Sequence, residues 1–159
     1  MIFVILGSQK FQFNRLLKAM DEVIEKTNLT EPVFAQIGYS DYLPKHYPYK
    51  QFLDAKDFDD YQSKADIIVT HCGTGAIINA VKKGKKVLVV PRLEKYGEHV
   101  DDHQIQIADK FEEMGLILSC RDGEDLGEKL REIRGREFRP YISNTNAIIQ
   151  SIDDFIQSL

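Results

Sequence analysis

Tryptophan is absent from this chain, and cysteine is reduced to Cys72 and Cys120. Two cysteines do not make a disulfide framework, so a packed core must carry the fold, and a reducing, cytoplasmic setting suits it. Also missing is any apolar run near the ~20 residues of a membrane-spanning helix. The apolar start, Met1 to Leu6, has no basic flank and no cleavage-like site, so it reads as a buried first strand rather than a signal peptide. A dominant charge is lacking too. With 21 basic and 25 acidic residues the formal net charge is -4, which leaves no electrostatic footprint for nucleic acid. There is no internal repeat, low-complexity tract or linker. Any membrane contact is therefore expected to be peripheral, or made through a partner.

What is present is enough for one domain, 1–159, with 43% apolar residues among 159. Ile2 to Leu6, Ala65 to Thr70 and Lys86 to Val90 are continuous β-prone runs, as expected of strands buried on both faces of a parallel sheet. Shorter strands are expected at Val33 to Ile37, near Tyr49 to Leu53, and at Leu116 to Ser119. Between them lie helical stretches at 13–26, 57–64, 76–83, 102–114 and 123–133. In the first of these Leu16, Leu17, Met20, Val23 and Ile24 recur at helical spacing, with Asn14 a candidate cap. After Pro140 a last amphipathic helix is expected over about 141–158, with Ile142, Ile148, Ile149, Ile152, Phe155 and Ile156 on one side. Its apolar side packs on the domain's own sheet or on a partner. Strands alternating with helices predict an α/β fold, a Rossmann-like parallel sheet with helices on both faces. Ligands in such sheets bind beyond the carboxyl ends of the strands.

Three groups of residues fall at that edge. Gly7-Ser8-Gln9 follows the first strand, and its backbone N–H groups, hydroxyl and amide suit an anion at a helix N-terminus; the plainer reading is a tight turn. His71-Cys72-Gly73-Thr74-Gly75 follows the fourth strand. Its glycines permit close backbone approach, and the next helix points its positive end at that place. It is neither G-x-G-x-x-G nor a P-loop, and His71 alone would serve equally as a satisfied core histidine. The spacing of His71, Cys72, His99 and His103 matches no zinc pattern, so no metal is expected. Arg92, Glu98, His99, Asp101, Asp102, His103 and Gln104 form a dense polar stretch after the fifth strand. One of the two aspartates would cap a helix there, and the rest suit hydrogen bonding to sugar hydroxyls.

These motifs resemble the C-terminal domain of family 28 glycosyltransferases, from Met1 to about Ile133. They are Gly7-Ser8-Gln9 with Phe13-Asn-Arg-Leu-Leu-Lys18, the H-x-G-x-G turn at 71–75, and Val90-Pro-Arg92 followed by Tyr96 to Gln104. Small bacterial exopolysaccharide and capsule transferase subunits are the closest kind; the catalytic subunit of the dolichyl-linked N-acetylglucosaminyltransferase is similar at a greater distance.

The resemblance implies one half of a GT-B fold, a UDP-sugar donor and inverting transfer of a hexose to a polyprenyl-diphosphate-linked acceptor. No cofactor is implied. It places Gly7, Ser8 and Gln9 near the donor phosphates or sugar, and Gly73, Thr74 and Gly75 against the diphosphate beside His71. It places Phe52 and Leu53 at the uracil, and Asp102, His103 and Gln104 toward the sugar, with Arg92 adding positive charge. Asn79 stands where the family carries a ribose-binding Glu, and lacks that carboxylate's charge-assisted strength. Because a GT-B enzyme needs two such halves, the resemblance also implies a membrane-associated partner that binds the lipid-linked acceptor. The general base then lies in that partner, with Glu98 and His99 the candidates in this chain. A non-catalytic nucleotide-binding subunit of such a complex is the alternative.

Overall fold

A computed structural model describes residues 1–140 together with 150, 154, 155, 157 and 158. The chain runs β1 (Ile2–Ile5), α1 (Asn14–Thr27), β2 (Val33–Gln36), β3 (Tyr49–Lys50), α2 (Ala55–Lys64), β4 (Ile67–Thr70), α3 (Thr74–Lys82) and β5 (Lys86–Val89). A 3-10 turn (Glu94–Tyr96), α4 (His103–Glu113), β6 (Leu118–Ser119) and α5 (Leu126–Arg134) follow. All strand pairs are parallel, in the order β3-β2-β1-β4-β5-β6. This is the doubly wound order, and its switch point lies between β1 and β4.

Each face of the sheet buries its own layer. Ile2, Val4, Val69, Leu88 and Val90 pack with Leu16, Leu17 and Met20 of α1 and with Leu130 and Ile133 of α5. Phe3, Ile5, Ile68, Val87 and Val89 pack with Ile77 of α3, Phe111 of α4 and the partly buried Phe58 and Tyr61 of α2. Every residue of β1, β2 and β4 is buried, which is why these strands read as unbroken apolar runs rather than as an alternation.

The structure shifts several expected boundaries. β6 is only Leu118–Ser119; Leu116 and Ile117 are buried in the core but stand outside the ladder, after Gly115 at φ 75°. α5 starts at Leu126, since 121–125 form a turn through Gly123. Asn14 does not cap α1. The residue before the helix is Phe13, and the Asn14 amide turns to Asp41 and the Tyr42 N–H. Outside positions 150, 154, 155, 157 and 158, the C-terminal helix expected over 141–158 lies outside the described residues.

A buried carboxylate holds the 39–48 loop to α1. Asp21 accepts the Tyr42 hydroxyl at 2.6 Å, and the N–H groups of Lys45 and His46 at 2.9 Å. Asp21→Ala orphans these donors and is expected to cost about 2 kcal/mol, read as a lower urea midpoint at unchanged slope.

Candidate functional site: a crevice between two glycine turns

β1 and β4 lie side by side, and the turns leaving them diverge to opposite faces of the sheet. The gap between those turns is filled by the His71 ring, which is 4% exposed. Gly7 and Gly73 flank it. A Cβ at Gly7 would lie 2.4 Å from His71 Nε2, and one at Gly73 would lie 2.7 Å from it. Gly7 also adopts φ 74°, where a side chain is strained. Both glycines are thus required by the imidazole between them. The H-x-G spacing is therefore a packing constraint.

Gln104 fixes the chemistry of that ring. Its Oε1 accepts the backbone N–H groups of Cys72 at 3.2 Å and Arg92 at 2.9 Å. This leaves its NH2 group toward His71 Nδ1, 3.5 Å away. Nδ1 therefore accepts, and the ring hydrogen sits on Nε2, the edge between the two glycines. Burial, with smaller contributions from the charges of Arg92 and His99, pushes the His71 pKa down to about 3. The ring is neutral at physiological pH. Since its folded pKa lies below the unfolded value of about 6.5, this group's contribution to stability is complete above pH 6.5 and shrinks as pH falls toward 3. Unfolding at pH 7 and pH 4 should show a loss on the order of 3 kcal/mol that His71→Asn largely removes.

The two helices nearest the crevice differ at their N-termini. α1 does not start at the Gly7-Ser8-Gln9 turn, as the sequence suggested, because residues 10–13 intervene. Like α3 it has no side-chain cap, but the two N–H groups at its very start are used internally: Phe13 N–H donates to Ser40 Oγ at 2.8 Å, and Asn14 N–H to Gln12 Oε1 at 2.8 Å. α3 starts directly after Gly73, with no side-chain cap. Among the described residues, the N–H groups of Thr74, Gly75 and Ala76 have no acceptor. Gly75 is exposed, with nothing within 4 Å of a Cβ built on it. Of the two helices it is α3 whose first three N–H groups all stand open, an arrangement that suits an anion. Ser8 and Gln9 are exposed on the turn that follows Gly7.

Arg92 does not face the crevice opening. It is 1% exposed, and its guanidinium donates to the carbonyls of Leu6 at 2.6 Å, Phe11 at 2.9 Å and Glu98 at 3.1 Å. Burial lowers its pKa to about 10, against the raising effect of Glu98. It fastens the β1 turn to the 92–98 loop, and so acts on the site by position. Glu98 is likewise not placed to be a base. It is 1% exposed, accepts Arg15 Nε and Nη2 at 3.0 Å each, and accepts the Leu93 N–H at 3.0 Å. Arg15 had no sequence-derived role, although it stands inside the quoted Phe13–Lys18 motif; its partner lies 83 residues away.

Asp102 is exposed and accepts the Glu94 N–H at 2.9 Å, while Asp101 accepts the His103 N–H at 3.0 Å. Capping of α4 thus falls to Asp101. His99 is mostly covered and lies against Phe11. Phe52 and Leu53 follow β3, two strands from the crevice. The Leu53 N–H is taken by Gln36 Oε1 at 2.9 Å and is not left free for a ligand. Phe52 is exposed, in edge-on contact with Tyr39 at 5.3 Å. Asn79 stands apart on α3, donating to Gln62 Oε1 at 3.2 Å, an oxygen that Lys83 Nζ also reaches at 3.0 Å. Among the described residues no three His, Cys, Asp or Glu side chains group as metal ligands.

A doubly wound parallel sheet with an open helix N-terminus and a neutral histidine between glycines at its switch point defines a Rossmann-like α/β domain, with its candidate ligand site at that edge. Residues 1–159 match the glycosyltransferase family 28 C-terminal domain, and the chain belongs to that family. The UDP-N-acetylglucosamine transferase subunit ALG13 of Candida glabrata is 32% identical over 82 residues, 51% of this chain and 39% of that protein. Its Saccharomyces cerevisiae counterpart is 33% identical over 78 residues, 48% of this chain and 37% of that protein. The chain therefore matches less than half the length of these curated relatives. The NMR structure of ALG13 superimposes with a TM-score of 0.64 at 19% identity, covering 95% of this chain and 94% of that one. MurG of Acinetobacter baumannii gives 0.58 at 18% identity, covering 95% of this chain and 49% of that one. These two likenesses establish the shared fold.

Proposed function

We propose that this chain is the donor-binding, catalytic subunit of a split inverting glycosyltransferase. It moves a hexose from a UDP-sugar to a polyprenyl-diphosphate-linked saccharide, of the kind used in exopolysaccharide or capsule assembly. The observation that carries this reading is the free N-terminus of α3 beside the His71 crevice, in a member of family 28. As the sugar leaves, negative charge grows on the diphosphate. The N–H groups of Thr74, Gly75 and Ala76, the α3 dipole and the His71 Nε2–H would meet that charge with donors already in place. Gln104 keeps the histidine in the donating tautomer. Arg92 and Gln104 hold the Gly7 and 92–98 segments at a fixed distance from it. Ser8, Gln9 and His103 are exposed and would meet the sugar hydroxyls.

The acceptor half is supplied by a second, membrane-associated subunit. Two facts favour this. The similar ALG13 proteins of Candida glabrata and Saccharomyces cerevisiae are named as subunits of a UDP-N-acetylglucosamine transferase. And a GT-B site lies between two such domains, whereas the described residues of this chain form a single parallel sheet of six strands. The chain would then work peripherally at the inner membrane face.

Calorimetric titration with UDP, ADP and GDP tests the donor assignment. UDP should bind with clear preference. Gly75→Asp should weaken it at least ~10-fold without loss of fold, because the new side chain enters open space and its charge suits a helix N-terminus. Equal binding of the three nucleotides would contradict the reading.

A further inference from the structure

The charge of this chain is unevenly placed. Its net charge is -4, yet Lys82-Lys83-Gly84-Lys85-Lys86 carries four cations in five residues and no acid. That segment ends α3 and enters β5, at the amino edge of the sheet, opposite the donor crevice. The stretch after α5 returns to the same place. There the Arg139 N–H donates to the Gly115 carbonyl at 2.9 Å, and the Arg139 side chain covers Gly115. Between the two segments lies a groove of about 520 Å³. It is lined by Lys82, Lys85, Lys86, Arg136 and Arg139, against the single carboxylate of Glu137.

Two of these ammonium groups are fixed but not neutralised. Lys85 Nζ donates to the Ser63 carbonyl at 2.9 Å, and Lys86 Nζ to the Arg134 carbonyl at 2.7 Å. A carbonyl holds the side chain in place and leaves its positive charge uncancelled. Among the described residues neither lysine forms an ion pair with a carboxylate. Glu31 and Asp66, on the same edge, are taken by the Met1 ammonium at 3.0 and 2.8 Å. Arg136 reaches Glu132 only at 3.8 Å. The α3 dipole favours a cation in the last turn, and Lys82 supplies one; five around a single groove exceed that need.

We infer that this groove and its lysine rim dock the chain directly on the anionic phospholipid headgroups of a membrane. Two features favour a headgroup layer over a protein. Lysines outnumber arginines there, and their compact, strongly hydrated charges suit mobile phosphodiesters rather than bidentate pairing. The patch also has no exposed apolar centre of the kind protein interfaces bury. The large apolar side chains exposed among the described residues lie at 11–52, 96 and 100. The inference goes beyond the transferase reading and stands without it, since a chain that binds no nucleotide can still bind vesicles. Docking by this edge leaves the open terminus of α3 at the far end of the helix, clear of lipid phosphates that would compete there.

Flotation of the full chain with phosphatidylcholine vesicles, with and without phosphatidylglycerol, is the test. Binding should require phosphatidylglycerol and fall steeply as salt rises. The triple variant Lys86→Gln, Arg136→Gln, Arg139→Gln should weaken it ~10-fold or more, since each charge near an anionic surface is worth ~5-fold. The triple Lys45→Gln, Lys50→Gln, Lys56→Gln makes the same change in net charge on exposed residues elsewhere. It should weaken binding less than ~2-fold, because distant charges are screened. Urea midpoints monitor folding; if the first triple is destabilised, Arg136→Gln with Arg139→Gln, both exposed, carries the comparison. Equal losses in the two triples would make net charge the cause and overturn the inference. Binding to pure phosphatidylcholine, or none to phosphatidylglycerol at low salt, overturns it too. Displacement by inorganic phosphate at constant ionic strength would make the groove a small-anion site instead. Lost association with the acceptor-binding subunit, with vesicle binding kept, would give the patch to that protein.

Discussion

Gly7→Ala is expected to be the most damaging single methyl in the chain. The new Cβ would meet His71 Nε2 at 2.4 Å, and the backbone would have to hold φ 74° with a side chain attached. The left-handed conformation costs about 1–2 kcal/mol and overpacking a tight site about 1–3, so a loss of about 3 kcal/mol is expected. UDP binding should fall in parallel, since the ring cannot stay where it is. Gly73→Ala separates the two causes. Gly73 has an ordinary φ of -92°, so only the 2.7 Å approach to the imidazole opposes a methyl there. In a His71→Ala background that approach vanishes, and Gly73→Ala should become nearly neutral in urea unfolding. If Gly73→Ala costs the same with and without the histidine, the ring is not what demands the glycine.

Arg92→Met should cost nearly as much, for a different reason. Its guanidinium serves the carbonyls of Leu6, Phe11 and Glu98, and lies 5.1 Å from the Phe13 ring. Without it the buried carbonyls of Leu6 and Glu98 lose their donor, as do the part-buried ones of Phe11 and, at 3.4 Å, Gln12, a loss of about 3 kcal/mol. The β1 turn and the 92–98 loop should also come apart, and hydrogen exchange would show this as lost protection of the Leu93 and Glu98 amides. Lysine should not rescue, because one ammonium cannot reproduce the planar fork that reaches all three oxygens. A variant with full stability would mean that water replaces the guanidinium at no cost.

The fold was legible where the sheet is buried on both sides. β1, β4 and β5 leave unbroken apolar runs, and α1 leaves a clean helical spacing. β3 was harder to place because it is two exposed residues, Tyr49 and Lys50, held by a neighbour's backbone rather than by their own preference. The H-x-G-x-G turn reads in the sequence as a ligand motif. Its second meaning, a ring wedged between Gly7 and Gly73, depends on β1 lying beside β4, a contact between residues far apart in sequence. The same limit explains Arg92. A charged residue after a strand, in a polar stretch, suggests a hand held out to phosphate. Its acceptors at Leu6 and Phe11 are more than 80 residues away, and only the folded chain shows the side chain turned inward. Asp101 was legible as a capping candidate, but its bridge between His99 and His103 was not, because that depends on the bend of the loop.

The central claim is that α3, and not α1, offers its N-terminus to the diphosphate. Titrating the isotope-labelled chain with UDP and following backbone amide resonances tests it most directly. The account predicts saturable shifts at Gly73, Thr74, Gly75 and Ala76, accompanied by Gly7 to Gln9, with Phe13 and Asn14 left in place. Saturable shifts centred on Phe13 and Asn14, with 73–76 unmoved, would contradict it.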